Sequence, residues 1–294
     1  MILRVLSVLL FPLLALLAQP ATAKAFASDR VSVTVVGSGP DVVLIPGLSS
    51  SPDVWKSTVA AMPGYRYHLV KVAGFDGAPA GANASGPVLI PVADEIARYI
   101  REAGLKSPAV VGHSMGGSLA LLVAGRNPGL ASKVMVVDMM PFLGAMFGGG
   151  AATPESVAPM AAQIRDGIAK SAGDARKTQI EGTIASMVKT EAMRPATVAQ
   201  SLASDPMVSG QAMYDLIVTD LRPDLAKIKV PLTVLWVVPQ GAPLTQAQME
   251  AYYKMSYANA PHAVLKHIPD SYHFIMYDQP EVFHAELKAF LTAR

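Results

Sequence analysis

Cysteine is absent from the 294 residues. That excludes a disulfide scaffold, a thiolate metal site, a cysteine nucleophile and an acylated lipoprotein N-terminus. An excess of either charge is lacking too: 24 Lys and Arg stand against 22 Asp and Glu, a formal net charge of +2, and the charges are scattered along the chain. Neither a nucleic acid nor an anionic surface is favoured as a partner. There is no internal repeat and no low-complexity linker. Charged residues make up only 16% of the chain and apolar ones 51%, the reverse of a disordered composition and enough to fill a core.

The most apolar stretch, residues 1–18, carries Arg4 near its start and Pro12 inside it. Its apolar run is short of the ~20 residues that a spanning helix needs. Two small-residue patterns follow, Ala21-Thr22-Ala23 and Ala25-Phe26-Ala27. A charged start, a short apolar middle and an A-x-A site describe a secretory signal peptide. Residues 1–27 are therefore expected to be removed, leaving an exported protein, periplasmic or secreted, without a stable membrane anchor.

From Val31 onward short β-branched runs alternate with helical patterns, as in a parallel α/β sheet. Strands are predicted at 32–36, 42–45, 67–72, 109–111, 133–137, 232–238 and 263–268, and helices at 53–62, 88–103, 115–126, 245–256 and 280–292. Most of the strands are continuously apolar, as strands covered on both faces should be. Between Asp138 and Val230 no strand is predicted. This interval contains Gly148-Gly149-Gly150 and is rich in methionine, and it reads as a helical insertion over one end of the sheet. Its methionines fill a core or line an adaptable apolar pocket; Met139, Met140 and Phe142 are the candidate pocket residues. The organisation expected is a core of 28–138 and 223–294 interrupted by a helical cap, 139–222.

The sharpest motif is Gly112-His113-Ser114-Met115-Gly116. The apolar run 109–111 leads into it and the helix-forming SLALLVAGR follows it, the strand–turn–helix context that gives G-x-S-x-G its meaning. Such a turn lifts the Ser114 hydroxyl above the sheet. It also aims backbone N–H groups at a helix N-terminus, where positive potential favours an oxyanion. On these residues the chain resembles the α/β-hydrolase fold superfamily over nearly all of its mature length. A second matching segment, 44–50, ends an early strand where that family places its oxyanion loop. The resemblance implies a mostly parallel central sheet flanked by helices, and an oxyanion hole made by the N–H groups of Leu48 and Met115.

A serine hydroxyl needs a base within hydrogen-bond reach. Of the six histidines, His113 is inside the elbow and cannot easily turn back onto its neighbour. His68, His262, His267 and His284 lie in or beside predicted strands and the last helix. His273 lies in the loop after the last strand, where the family's order of serine, acid and histidine places the base. The acid departs from the usual pattern. After the strand at 232–238, where most members carry it, no carboxylate occurs before Glu250. Some members carry it one strand earlier, and there this chain has Asp138. Asp270 is a rival, as is a site without an acid; Asp220, Asp278 and Glu250 read as structural.

The resemblance thus implies acyl transfer to water by Ser114, His273 and Asp138, with a small ester-like substrate and with no cofactor, metal or protein partner. The same triad would serve a lactonase, a carbon–carbon bond hydrolase or a cofactor-free haloperoxidase. A non-catalytic binding protein on the same fold is the alternative of another class.

Overall fold

The computed structural model describes residues 26–241 and 244–293. The expected export signal, apart from Phe26 and Ala27, lies outside the described residues.

Among the described residues seven strands form one sheet: β1 (Val31–Gly37), β2 (Asp41–Ile45), β3 (Arg66–Val72), β4 (Ala109–His113), β5 (Lys133–Val137), β6 (Leu232–Trp236) and β7 (Val264–His267). Their order is β1-β3-β2-β4-β5-β6-β7. β1 runs antiparallel to β3, and every other neighbouring pair is parallel. Alternate residues of the central strands feed two cores. Val43, Ile45, Val110, Val134, Val136 and Val234 face one side, and Val42, Leu44, Val111, Met135, Val137 and Leu235 the other. Burial on both faces explains why these runs read as continuously apolar. The predicted strands differ from the observed ones only at their ends.

Eleven α-helices accompany the sheet among the described residues. α1 (Lys56–Ala61), α2 (Leu89–Glu102) and α3 (Met115–Arg126) belong to the first half of the chain. The helix expected at 53–62 is two pieces, because a 3₁₀ turn at Pro52–Trp55 precedes α1. α2 buries Leu89, Val92, Ala93, Ile96 and Ile100, one stripe at helical spacing. α3 is buried from Met115 to Gly125, as a helix apolar on all sides must be.

Between β5 and β6 lie α4 (Ala145–Gly148), α5 (Pro154–Lys170), α6 (Gly173–Met187), α7 (Arg194–Ala203) and α8 (Pro206–Val218). Start signals written in the sequence open two of them. The Thr153 hydroxyl accepts from Ser156 N ahead of Pro154, and the Asp205 carboxylate accepts from Met207 N and Val208 N ahead of Pro206. α9 (Gln246–Ser256), α10 (Ile275–Asp278) and α11 (Pro280–Thr292) complete the chain. The α5–α8 segment roofs a cavity whose floor is the carboxyl ends of β2, β4, β5 and β6, the edge at which open parallel sheets hold ligands.

Candidate active site

Register puts the candidate residues on one level. His113 of β4 pairs with Val137 of β5, and Val137 with Leu235 of β6. The ladder runs one step further on each strand: Ser114 N donates to Val137 O at 2.9 Å and Asp138 N donates to Leu235 O at 2.8 Å. At that step both residues leave their strands with positive φ, 53° at Ser114 and 52° at Asp138. An aspartate tolerates this region through its short polar side chain. At Ser114 the accompanying ψ of −122° is a sparsely populated conformation that costs of order 1–3 kcal/mol. The surroundings enforce it. A Cβ on Gly112 would lie 1.9 Å from Gly116 O, and one on Gly116 would lie 2.2 Å from Ile45 O. Only glycine lets α3 start this close to β4 and to the end of β2.

Asp138 and His273 meet directly: Nδ1 of the imidazole is 2.6 Å from Oδ2 of the carboxylate. A carboxylate only accepts, so Nδ1 carries the hydrogen and Nε2 keeps its lone pair. The other oxygen, Oδ1, accepts from Val237 N and from the Tyr253 hydroxyl, each at 3.1 Å. Burial, and then the Asp138 charge, push the Tyr253 hydroxyl well above the usual tyrosine range, so it stays protonated and remains a donor. The rivals of Asp138 are engaged elsewhere. Asp270 is 81% exposed beside Lys189, Glu250 pairs with Lys254, and Asp220 pairs with Arg222.

His113 is buried beneath the serine turn and contributes to the cavity floor. Its Nε2 bonds the carbonyl oxygen of His273 at 3.1 Å, so that nitrogen carries the hydrogen. Burial, and next the neighbouring His273, hold it well below the ordinary histidine range, which keeps it neutral. Its ring packs 4.7 Å from that of His273 and 4.5 Å from that of Phe274.

The cavity measures about 670 Å³, within the usual range for small-ligand sites. Leu48, Ser114, Asp138, His273, Met139 and Met140 all line it. Among the described residues, the backbone N–H groups of Leu48 and Met115 meet no hydrogen-bond partner. Met115, expected beside Leu48, is not among the residues that line the cavity, and its side chain is buried in the core. Phe142, expected in the pocket, does not line it. The Pro141 carbonyl is tied to Leu221 N, and the Phe142 ring packs with Ala145, Ala152, Val157 and Ile217 beneath the Arg222 guanidinium. The methionines divide between the two roles considered for them. Met139, Met140, Met146, Met187, Met213 and Met249 line the cavity, whereas Met160 and Met193 pack in cores and Met207 is exposed.

A profile of the alpha/beta hydrolase family matches residues 42–286, which include every residue placed above at the cavity floor. The chain belongs to the alpha/beta hydrolase family. It is similar to a pimeloyl-[acyl-carrier protein] methyl ester esterase of Vibrio atlanticus (strain LGP32), 26% identical over 216 residues that make up 71% of this chain and 80% of the relative. An esterase from Exiguobacterium antarcticum superposes with a TM-score of 0.74 at 20% identity, covering 90% of this chain and 96% of that one. The enol-lactonase from Burkholderia xenovorans LB400 superposes with a TM-score of 0.71 at 17% identity, covering 90% and 96%. These two likenesses establish the fold.

Within this alpha/beta hydrolase the sequence reading missed one residue that holds the site from behind and placed another only in general terms. Tyr253 comes from α9, predicted as a helix at 245–256 without a part in the site. Asp278 is structural, as expected: its carboxylate accepts from Lys189 N, Thr190 N and Tyr272 N. It thereby fastens the loop that carries His273 to the segment leaving α6. No local motif announces either residue.

Proposed function

We propose that this protein is an exported serine hydrolase that cleaves carboxylic esters through an acyl-enzyme. The observation that carries the reading is the 2.6 Å contact between His273 Nδ1 and Asp138 Oδ2, in the lining of the cavity that also contains Ser114. With Nδ1–H held by the carboxylate, Nε2 is the free base. It takes the proton of the Ser114 hydroxyl as the oxygen attacks the substrate carbonyl. The N–H groups of Leu48 and Met115 stabilise the oxyanion at the N-terminus of α3. The imidazolium returns the proton to the departing alcohol. Water, deprotonated by His273, then releases the acid and restores the serine.

An ester is the substrate class supported by the relatives' names, and the cavity supports an apolar acyl part. Met139, Met140, Met213, Ile164, Ile180 and Leu216 form much of its wall, a lining that repacks around chains of different shape. A lactone is a cyclic ester and meets the same machinery. The test is a panel of p-nitrophenyl esters and lactones of increasing chain length, assayed with the mature protein and its Ser114→Ala variant. Hydrolysis that falls to background in the variant agrees with the reading. Turnover that survives the loss of Ser114 contradicts it.

Export rests on the sequence of residues 1–27, and the packing of Phe26 favours the earlier of the two cleavage sites. The Phe26 ring meets Tyr99 edge-on at 5.0 Å, and the Arg98 guanidinium lies over it at 4.5 Å while bonding Ala27 O at 2.7 Å. Cleavage after Ala23 keeps these contacts. N-terminal sequencing of exported protein is expected to begin at Lys24, and a start at Ser28 would contradict this.

A further inference from the structure

The loop that follows β2 has almost no support from the sheet it leaves. Among the described residues, no backbone hydrogen bond from a strand reaches Leu48, Ser49 or Ser50. Ser49 is nevertheless fixed at a φ of 52°, a region that non-glycine residues seldom adopt. What holds the loop comes from α7 and α8. Gln200 Oε1 accepts from Ser51 N at 3.2 Å and lies 3.5 Å from the Ser50 hydroxyl. Ser201 Oγ lies 3.4 Å from Ser49 O. Ser49 Oγ lies 2.7 Å from Ser209 Oγ, and Ser209 in turn bonds Asp205 O at 2.8 Å. Ser209 has one hydrogen and uses it on that carbonyl, so Ser49 is the donor in the pair.

The α7–α8 corner is itself held. Ser204 Oγ accepts from Asp76 N at 2.9 Å, Ala203 O accepts from Gly77 N at 3.0 Å, and Gly74 O accepts from Asp205 N at 2.7 Å. Three contacts to the loop after β3 give Gln200 a fixed platform. Gln200 is 9% exposed. Leu48, Ser49 and Ser50 line the cavity and Gln200 does not, so it reaches the substrate only through the loop.

We propose that Gln200 is a positioning residue for the oxyanion hole: by holding Ser51 N–H and the Ser50 hydroxyl from α7, it fixes where the Leu48 N–H points. This rests on the reading of Leu48 as an oxyanion donor. Such a donor works only when it is aimed at the place where charge develops, and its loss costs about 10²–10³ in kcat. A loop displaced by a fraction of an ångström forfeits part of that, while ground-state binding in the apolar cavity is untouched.

The test compares Gln200→Met, which keeps the length and removes the acceptor, with Gln200→Glu, which restores an acceptor for the same N–H. In Gln200→Met, kcat is expected to fall about 10- to 100-fold with KM within about twofold of wild type. The inhibition constant of a boronic acid, which forms a tetrahedral adduct on the serine, should rise by the same factor as kcat/KM falls. Binding of the product carboxylate should not change. Gln200→Glu should recover kcat to within about fivefold of wild type. A Gln200→Met enzyme with wild-type kcat overturns the proposal. So do equal losses in both variants, which would make the side chain a packing element. The wild-type protein is treated in parallel with a fluorophosphonate. Labelling of Ser114 together with an indifferent Gln200→Met strikes this inference alone, whereas a wild-type Ser114 that takes no label strikes the catalytic reading beneath it.

Discussion

Asp138 and His273 are separated by 135 residues of sequence and by 2.6 Å between Oδ2 and Nδ1. β5 delivers one and the loop after β7 the other, with β6 between them in the sheet. The carboxylate crosses β6 at its end, where Val237 N takes the second oxygen. Replacing the carboxylate by an amide leaves the shape and removes the charge that holds the imidazole in its useful tautomer. Asp138→Asn is expected to lower kcat by about 10³–10⁴, the scale of the corresponding change in a serine protease, with folding retained. Steady-state kinetics alongside circular dichroism check this, and near-normal turnover would contradict it.

Tyr253 donates to the same carboxylate from α9. In Tyr253→Phe one donor is lost. The carboxylate is then less firmly anchored behind the ring, so kcat should fall about tenfold, the equivalent of one hydrogen bond. The loss of a hydrogen bond to a charged group should lower stability by about 1.5–3 kcal/mol. Steady-state kinetics and a denaturant titration measure the two effects separately. An unchanged kcat would show that the hydroxyl only fills space.

His113 gives a pH dependence of stability whose sign follows from burial. Its folded value lies well below the ordinary 6.5 because burial disfavours the charged ring. Below pH 6.5 the unfolded chain takes up a proton that the native ring refuses, so stability falls as pH drops, by up to about 1.4 kcal/mol per pH unit for this group, and levels off only below the folded value. Burial also depresses His68, His267 and His284, which act in the same direction. Thermal unfolding from pH 7.5 to 5 should show a falling midpoint. A His113→Gln variant should fall less steeply, and an identical slope would contradict the assignment.

Gly116 lies where a methyl group would meet the Ile45 carbonyl at 2.2 Å. Backbone cannot swing aside as a side chain can, so α3 or the end of β2 must shift. Gly116→Ala should destabilise the protein by at least about 1–3 kcal/mol and should lower kcat more than it raises KM, since the proposed oxyanion donors, Leu48 and Met115, flank this contact. Chemical denaturation and kinetics on the same preparation test the pair of effects.

Much of this could be read in advance, for physical reasons that differ by residue. Ser114 was legible because the turn that exposes it demands Gly112 and Gly116 at fixed spacing. His273 and Asp138 were legible through the family's chain order and through the missing carboxylate after Trp236. Phe142 was misplaced because its distance along the chain from Asp138 does not reveal that Pro141 is tied to Leu221 and turns the ring under Arg222. Tyr253 and Gln200 were invisible because each acts across a helix–loop contact. A helical pattern shows which face of a helix is buried but not which backbone atom waits opposite.

The central claim is that Ser114 forms a covalent bond to substrate with His273 as its base. The most direct measurement is intact-mass and peptide mapping of the protein after reaction with a fluorophosphonate, for wild type, Ser114→Ala and Asp138→Asn. The account predicts one adduct per chain on the peptide carrying Ser114, none in Ser114→Ala, and labelling slowed by orders of magnitude in Asp138→Asn. An adduct on another residue, or none in an enzyme that hydrolyses esters, would contradict it.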